Sequence, residues 1–183
     1  METKICRICG LEKELSLFEI DSRVKNKITN RCRECKHELD DKASRAFRRL
    51  RRRSADLNIP MEVSVREIRL IFQMFDGRCA YCNKRPEQPK HLHLEHIQPL
   101  SEGGRNTLAN LIPACIHDNA SKGTKPIVTY FLENRDKFPD ENFALVISYI
   151  SLLTNSKKED VVADLTNEHV GFELRQAFEG IGK

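Results

Sequence analysis

The chain has 183 residues, of which 32% are charged, and its net charge is +4. That length suits one or two small domains with a modest core. The longest apolar stretch, Phe143 to Leu153, is broken by Ser148 and Ser151 and is too short for a bilayer-spanning helix, so an integral membrane protein of that kind is excluded. The opening residues are charged and lack a long apolar run, so no secretory signal is expected and the reading is of a soluble, cytoplasmic protein. The charge is uneven. Residues 1–60 carry 16 Lys and Arg against 10 Asp and Glu, whereas residues 127–183 carry 6 against 10. A basic front and an acidic back point to a polyanion as partner at the front, with a merely solvated basic surface as the alternative.

Residues 1–38 form the first expected module. Cys6-x-x-Cys9 is followed by a turn at Gly10, a polar stretch, and Cys32-x-x-Cys35. Two thiolates at this spacing can face one ion from a tight turn, and two such pairs are a strong zinc signature. The total of seven cysteines is odd and argues against a disulfide framework, and no βαβ pattern surrounds the pairs to favour redox chemistry. So short a segment cannot fold on a core of its own, and a metal would have to hold it together. It could contact DNA or serve only as a folding staple.

Residues 39–60 read as a helix and its end. Ala43, Ala46, Phe47, Leu50 and Leu57 recur at helical spacing, and Arg45, Arg48, Arg49, Arg52 and Arg53 cover much of the remainder. A row of arginines with almost no interleaved acid can follow a phosphate backbone. Asn58-Ile59-Pro60 ends it, because Pro restricts the residue before it.

Residues 61–126 hold the informative block. Ser64-Val65-Arg66-Glu67 is a capping box, with Val63 and Ile68 placed as a hydrophobic staple. Ile68, Ile71, Phe72 and Phe75 make the buried face of that helix, and Gly77 ends it. A third pair, Cys79-x-x-Cys82, follows directly. His91 to Glu95 alternates polar and apolar as a half-buried strand does, with His91 expected on the surface. Gly103-Gly104 signals a turn, and Leu111 to Pro113 is a second strand, with Pro113 at its edge or end. Ile116 to Lys122 fits a short helix stopped by Gly123. Residues 127–183 read as helical: Phe143 to Leu153 is apolar nearly all round, as in a buried helix, and Val161, Val162, Leu165, Val170, Phe172, Leu174 and Phe178 suggest further packing. This tail is either a helical cap or a homodimer surface.

Together, Glu95-His96-Ile97-x-Pro99, Asn110-Leu111-Ile112-Pro113 and Asn119-x-x-Lys122-Gly123, in this order, resemble the HNH endonuclease family. The flanking Cys79, Cys82 and Cys115 match its zinc-stapled branch, and the likeness covers about residues 65–125. The Cys6–Cys35 module, with Phe18 as its aromatic, resembles the zinc ribbon of phage-type nucleases. The resemblance implies a small α+β protein: an N-terminal zinc ribbon, an Arg-rich helix, a ββα-metal core and a C-terminal α-helical extension. It implies a metal-dependent endonuclease that hydrolyses double-stranded DNA, nicking as a monomer, from a phage, mobile element or bacterial cytosol. His96 would be the general base, since a neutral imidazole can take a proton from water near neutral pH. Glu95, where the family usually has Asp, and Asn119 would hold Mg²⁺ or another divalent ion, with His93 either a third ligand or plain strand surface. Asn110 would fix the loop or His96, and Lys122 would contact phosphate or cap the helix end.

Two points stay open at this level. Adjacent strand residues face opposite ways, so Glu95 and His96 share a site only if the strand ends or bends there. The core zinc set of Cys79, Cys82 and Cys115 lacks a fourth Cys. Asp118 stands in register for it, while His117 is chemically more usual but one residue out. The competing expectation is a zinc-dependent nucleic-acid-binding or regulatory protein whose nuclease site has decayed.

Overall fold

The computed structural model describes residues 2–22, 27–87 and 91–181, with six helices and four two-stranded sheets among them. The N-terminal module is two hairpins. Strand β1 (Thr3–Ile5) pairs antiparallel with β2 (Glu12–Glu14), and β3 (Phe18–Ile20) with β4 (Ile28–Cys32). Phe18, Ile8, Cys6 and Cys32 are buried between them. The small apolar content leaves little else to bury there, in keeping with a module of this size.

Helix α1 spans Arg33–Leu57 and so starts at Arg33, before the expected residue 39. The extra turns follow from Cys35 and Leu39, which continue the buried stripe of Ala43, Leu50 and Ser54 backward at helical spacing. Ala46 and Phe47 lie against the core, but Leu57 is half exposed and leaves the expected stripe. Asn58 closes the helix in the left-handed conformation, φ 53°.

Strand β5 (Met61–Glu62) leads to α2 (Val65–Met74), whose capping box is present in both directions: Glu67 N–H donates to Ser64 Oγ, and Ser64 N–H donates to Glu67 Oε2. Ile68, Ile71, Phe72 and Phe75 are buried. Gly77, at φ +67°, takes the chain out of the helix, its N–H bonded to Phe72 O at 2.8 Å.

The core unit is a β-hairpin and a helix. Strand β6 (Leu92–His96) pairs antiparallel with β8 (Leu111–Cys115), Leu92 facing Cys115 and His96 facing Leu111. Pro113 sits mid-strand opposite Leu94, tolerable because both strands of a two-stranded sheet are edges. Helix α3 (Ile116–Lys122) follows at once and ends at Gly123. Between β6 and β8 the chain folds back so that β7 (Asn106–Thr107) pairs parallel with β5. Gly103 is left-handed at φ +83°, and Gly104 is needed for space, since a Cβ there would lie 2.0 Å from Gln98 O.

Three helices complete the chain: α4 (Ile127–Glu133), α5 (Asp140–Thr154) and α6 (Lys158–Ile181). Helix α5 buries one face only. Val146 and Tyr149 are inside, while Leu152 is 70% exposed, which corrects the expectation of an all-round buried helix. On α6, Val161 and Leu165 pack inward, but Val162, Val170, Leu174 and Phe178 are exposed. Among the described residues no helix is long and apolar enough to cross a membrane.

Candidate active site and metal centres

Strand β6 ends at His96, and this solves the problem of facing. Glu95 and His96 are both buried and both line one cavity of about 320 Å³. Its other walls are Arg53 and Leu57 of α1, Ile59, Pro99 to Ser101, and Gly123 with Thr124 beyond α3. The Arg-rich helix therefore reaches the same hollow as the histidine.

The His96 ring is held from one side. Its Nε2 lies 2.9 Å from Asn106 Oδ1, and Asn106 Nδ2 donates to Ser54 Oγ at 2.6 Å and to Pro60 O at 3.2 Å. Pro60 O can only accept, so the amide nitrogen faces it and the amide oxygen faces His96. An oxygen there requires His96 to carry its proton on Nε2. The neutral ring then keeps the lone pair on Nδ1. Burial pushes the His96 pKa below its ordinary value, against the raising effect of the Asn106 bond, with Arg53 and Lys122 lowering it further. The ring is thus set up as a neutral proton acceptor.

Asn106 is 0% exposed and was not among the residues expected in the site. It gets there by the β5–β7 pairing, which sets Met61 opposite Asn106 beside the end of α1, with the Arg105 guanidinium clamping Glu62 through two bonds of 2.9 and 2.7 Å. The only hint in the sequence is a polar residue two positions after the Gly103-Gly104 turn. Asn110 works on the loop. Its side chain receives Gln98 N–H and donates to Gln98 O and Arg105 O, and its backbone O receives Ile97 N–H. Of the two roles open to Asn110, the geometry gives it the loop, and Asn106 holds the ring.

Lys122 corrects another expectation. It is 1% exposed, so its ammonium does not reach solvent to meet phosphate. Instead it pairs with Glu95 and donates to His96 O at 2.9 Å. Burial pushes the Glu95 carboxyl up and the Lys122 ammonium down, each against the pull of the other. Asn119 stands one turn before Gly123 on α3, half-buried, and His93 lies two residues before Glu95 on the same side of the strand; neither lines the cavity. Arg45, Arg48, Arg49, Arg52 and Arg53 are exposed along α1.

Two further clusters lie away from the cavity. Ligand atoms of Cys6, Cys9, Cys32 and Cys35 lie within 4.8 Å of one another, and so do those of Cys79, Cys82, Cys115 and Asp118. His117 is exposed and takes no part in the second set. Asp118 Oδ2 receives the thiols of Cys79 and Cys115 at 3.0 and 3.1 Å. The thiols of each set titrate apart. Backbone hydrogen bonds outweigh burial and bring Cys6 down to about 6, while burial pushes Cys35 well up. In the other set the Cys79 thiol brings Cys82 down to about 7, and burial pushes Cys115 up to about 11. Anions converging on one point repel one another, so full ionisation calls for a cation among them. Both clusters could hold a metal ion.

The family model of the HNH endonucleases matches residues 79–125. This segment is an HNH endonuclease domain. The match runs from the Cys79 knuckle through β6, β8 and α3 to Lys125, so it contains Glu95, His96, Asn106, Asn110 and Lys122. No curated protein matches the chain. The domain implies nuclease activity on nucleic acid, and the clusters of the HNH domain and the N-terminal module could each hold a metal ion.

Proposed function

We propose that the protein is a metal-dependent endonuclease that hydrolyses phosphodiester bonds of double-stranded DNA, nicking one strand per site as a monomer. The observation that carries this reading is His96, oriented through Nε2 by Asn106, in one cavity with Glu95 and Arg53. His96 Nδ1 takes a proton from water as it attacks phosphorus. Arg53 faces the charge that develops on the phosphate. Glu95, the buried carboxylate on the cavity wall, would hold Mg²⁺ or another divalent ion, as the hard oxygen donor such an ion takes. When bound, that ion supplies Lewis-acid stabilisation of the phosphate and leaving oxygens. Lys122 pairs with Glu95 and fixes it inside the domain.

Arg45, Arg48, Arg49 and Arg52 grip the phosphate backbone, an exposed row with no acid between residues 45 and 53. The four-thiol cluster and the Cys79–Cys82–Cys115–Asp118 cluster each hold Zn²⁺ as a structural ion. Incubation of supercoiled plasmid with the protein across a series of divalent metals tests the reading. Open circles appearing only with a divalent ion are expected, and salt-sensitive DNA binding without cleavage in any metal would contradict it.

A further inference from the structure

In the second cluster a carboxylate stands where the first has a thiolate, and the helices after the HNH domain close around it. Asp118 has two oxygens. Oδ2 lies among the sulfurs, 3.0 Å from Cys79 Sγ and 3.1 Å from Cys115 Sγ, while Oδ1 receives the hydroxyl of Tyr130 at 3.3 Å. Tyr130 belongs to α4, outside the matched segment, and is buried. Its ring packs edge-on against Tyr81, centroids 5.1 Å apart at 89°. Tyr81 is the residue before Cys82 in the knuckle, and its backbone O receives Asn142 Nδ2 of α5 at 2.5 Å. The extension thus touches both halves of the cluster: the carboxylate through Tyr130 and the knuckle through Tyr81.

We propose that Tyr130 is a positioning residue for a metal ion at Cys79, Cys82, Cys115 and Asp118, holding Asp118 Oδ1 so that Oδ2 alone is presented as the fourth ligand. This rests on the reading of that cluster as a zinc site. A free carboxylate rotates and can offer either oxygen or both; a thiolate has one donor atom and needs no such restraint. Groups hydrogen-bonded to ligands orient them, and their loss typically costs 10- to 100-fold in metal affinity. The replacement of a thiolate by Asp118 therefore makes the metal staple depend on the helical extension.

The test is zinc release from the full-length protein to a chromogenic chelator. Wild type is expected to hold two zinc ions and release them in two phases, the core phase being the one lost in Cys79→Ser. Tyr130→Phe keeps the ring and removes only the hydroxyl, and it should speed the core phase about tenfold and leave the other unchanged. Tyr149→Phe is the comparison for general loosening. Its hydroxyl is also buried and bonds Leu108 O and Leu111 O at 2.7 and 3.0 Å, and both phases should keep their rates. In an Asp118→Cys background, Tyr130→Phe should have no further effect, because the second oxygen is gone. An unchanged core rate in Tyr130→Phe, an equal effect of Tyr149→Phe, or an equal effect in the Asp118→Cys background overturns the proposal. A zinc content that does not fall in Cys79→Ser overturns the metal reading beneath it, and is distinguished because it is seen before Tyr130 is changed.

Discussion

Asn106→Ala removes the group that sets both the tautomer and the direction of His96. The side chain makes three hydrogen bonds, two of them buried, to His96 Nε2 at 2.9 Å and Ser54 Oγ at 2.6 Å, and a part-buried one to Pro60 O at 3.2 Å. At about 1 kcal/mol each, their loss destabilises the fold by about 3 kcal/mol. For a chain of this size that lowers the melting temperature by roughly 6–12 °C. The effect on turnover is separate. A ring free to flip or to move its proton to Nδ1 spends less time as a competent base, and a kcat loss between ~10-fold and ~100-fold is expected with DNA affinity unchanged. Ser54→Ala, which removes one bond and leaves Asn106 facing His96, should lose about 1 kcal/mol and little activity. Single-turnover nicking, measured well below both melting temperatures, is the assay. Wild-type turnover in folded Asn106→Ala would refute the assignment of the tautomer and of the positioning role.

Three more outcomes follow from other parts of the site. Lys122→Met leaves the Glu95 carboxylate buried without its partner and should cost on the order of 3–5 kcal/mol, partly recovered in Glu95→Gln/Lys122→Met; unchanged urea midpoints would contradict the buried pair. Arg49→Ala should weaken DNA binding and reduce the slope of log affinity against log salt by about 0.9, with turnover at saturating DNA intact, whereas Arg53→Ala should lower that turnover too because Arg53 lines the cavity; equal behaviour of the two would remove Arg53 from the chemistry. Lys42 is buried over the Phe72 ring, and burial, with Arg45 and Arg49 nearby, brings its pKa down to about 8 from 10.5. The unfolded chain holds that proton more tightly, so stability rises with pH between about 8 and 10.5 on this account. Lys42→Met should lack that rise, so the difference in melting temperature between it and wild type should change between pH 8 and pH 10; a constant difference across that range would contradict it.

The features legible in the sequence are those whose chemistry is local. Ser64 and Glu67 announce the α2 cap because a capping box needs only residues three apart. Gly123 ends α3, and each Cys-x-x-Cys pair brings its two thiols together through one tight turn. The register that sets Asp118 rather than His117 among the thiols is also local, fixed by the first turn of α3. What escaped depends on long-range packing. Asn106 enters the site through a two-residue parallel pairing with β5, which no periodicity reveals. Lys122 reads as a surface cation, and only the neighbouring β6 end, with Glu95 and His96 O, makes its burial tolerable. The apolar run of α5 overstates its burial because one side of that helix, with Leu145 and Leu152, is exposed, and the buried apolar positions of α6 end at Leu165.

The central claim is that His96 activates water in a divalent-ion-dependent nuclease, and the most direct measurement is plasmid cleavage by His96→Ala beside wild type with zinc content determined on both. The account predicts that nicking falls by at least ~100-fold while bound zinc and DNA affinity are unchanged. Nicking by His96→Ala at the wild-type rate would contradict it.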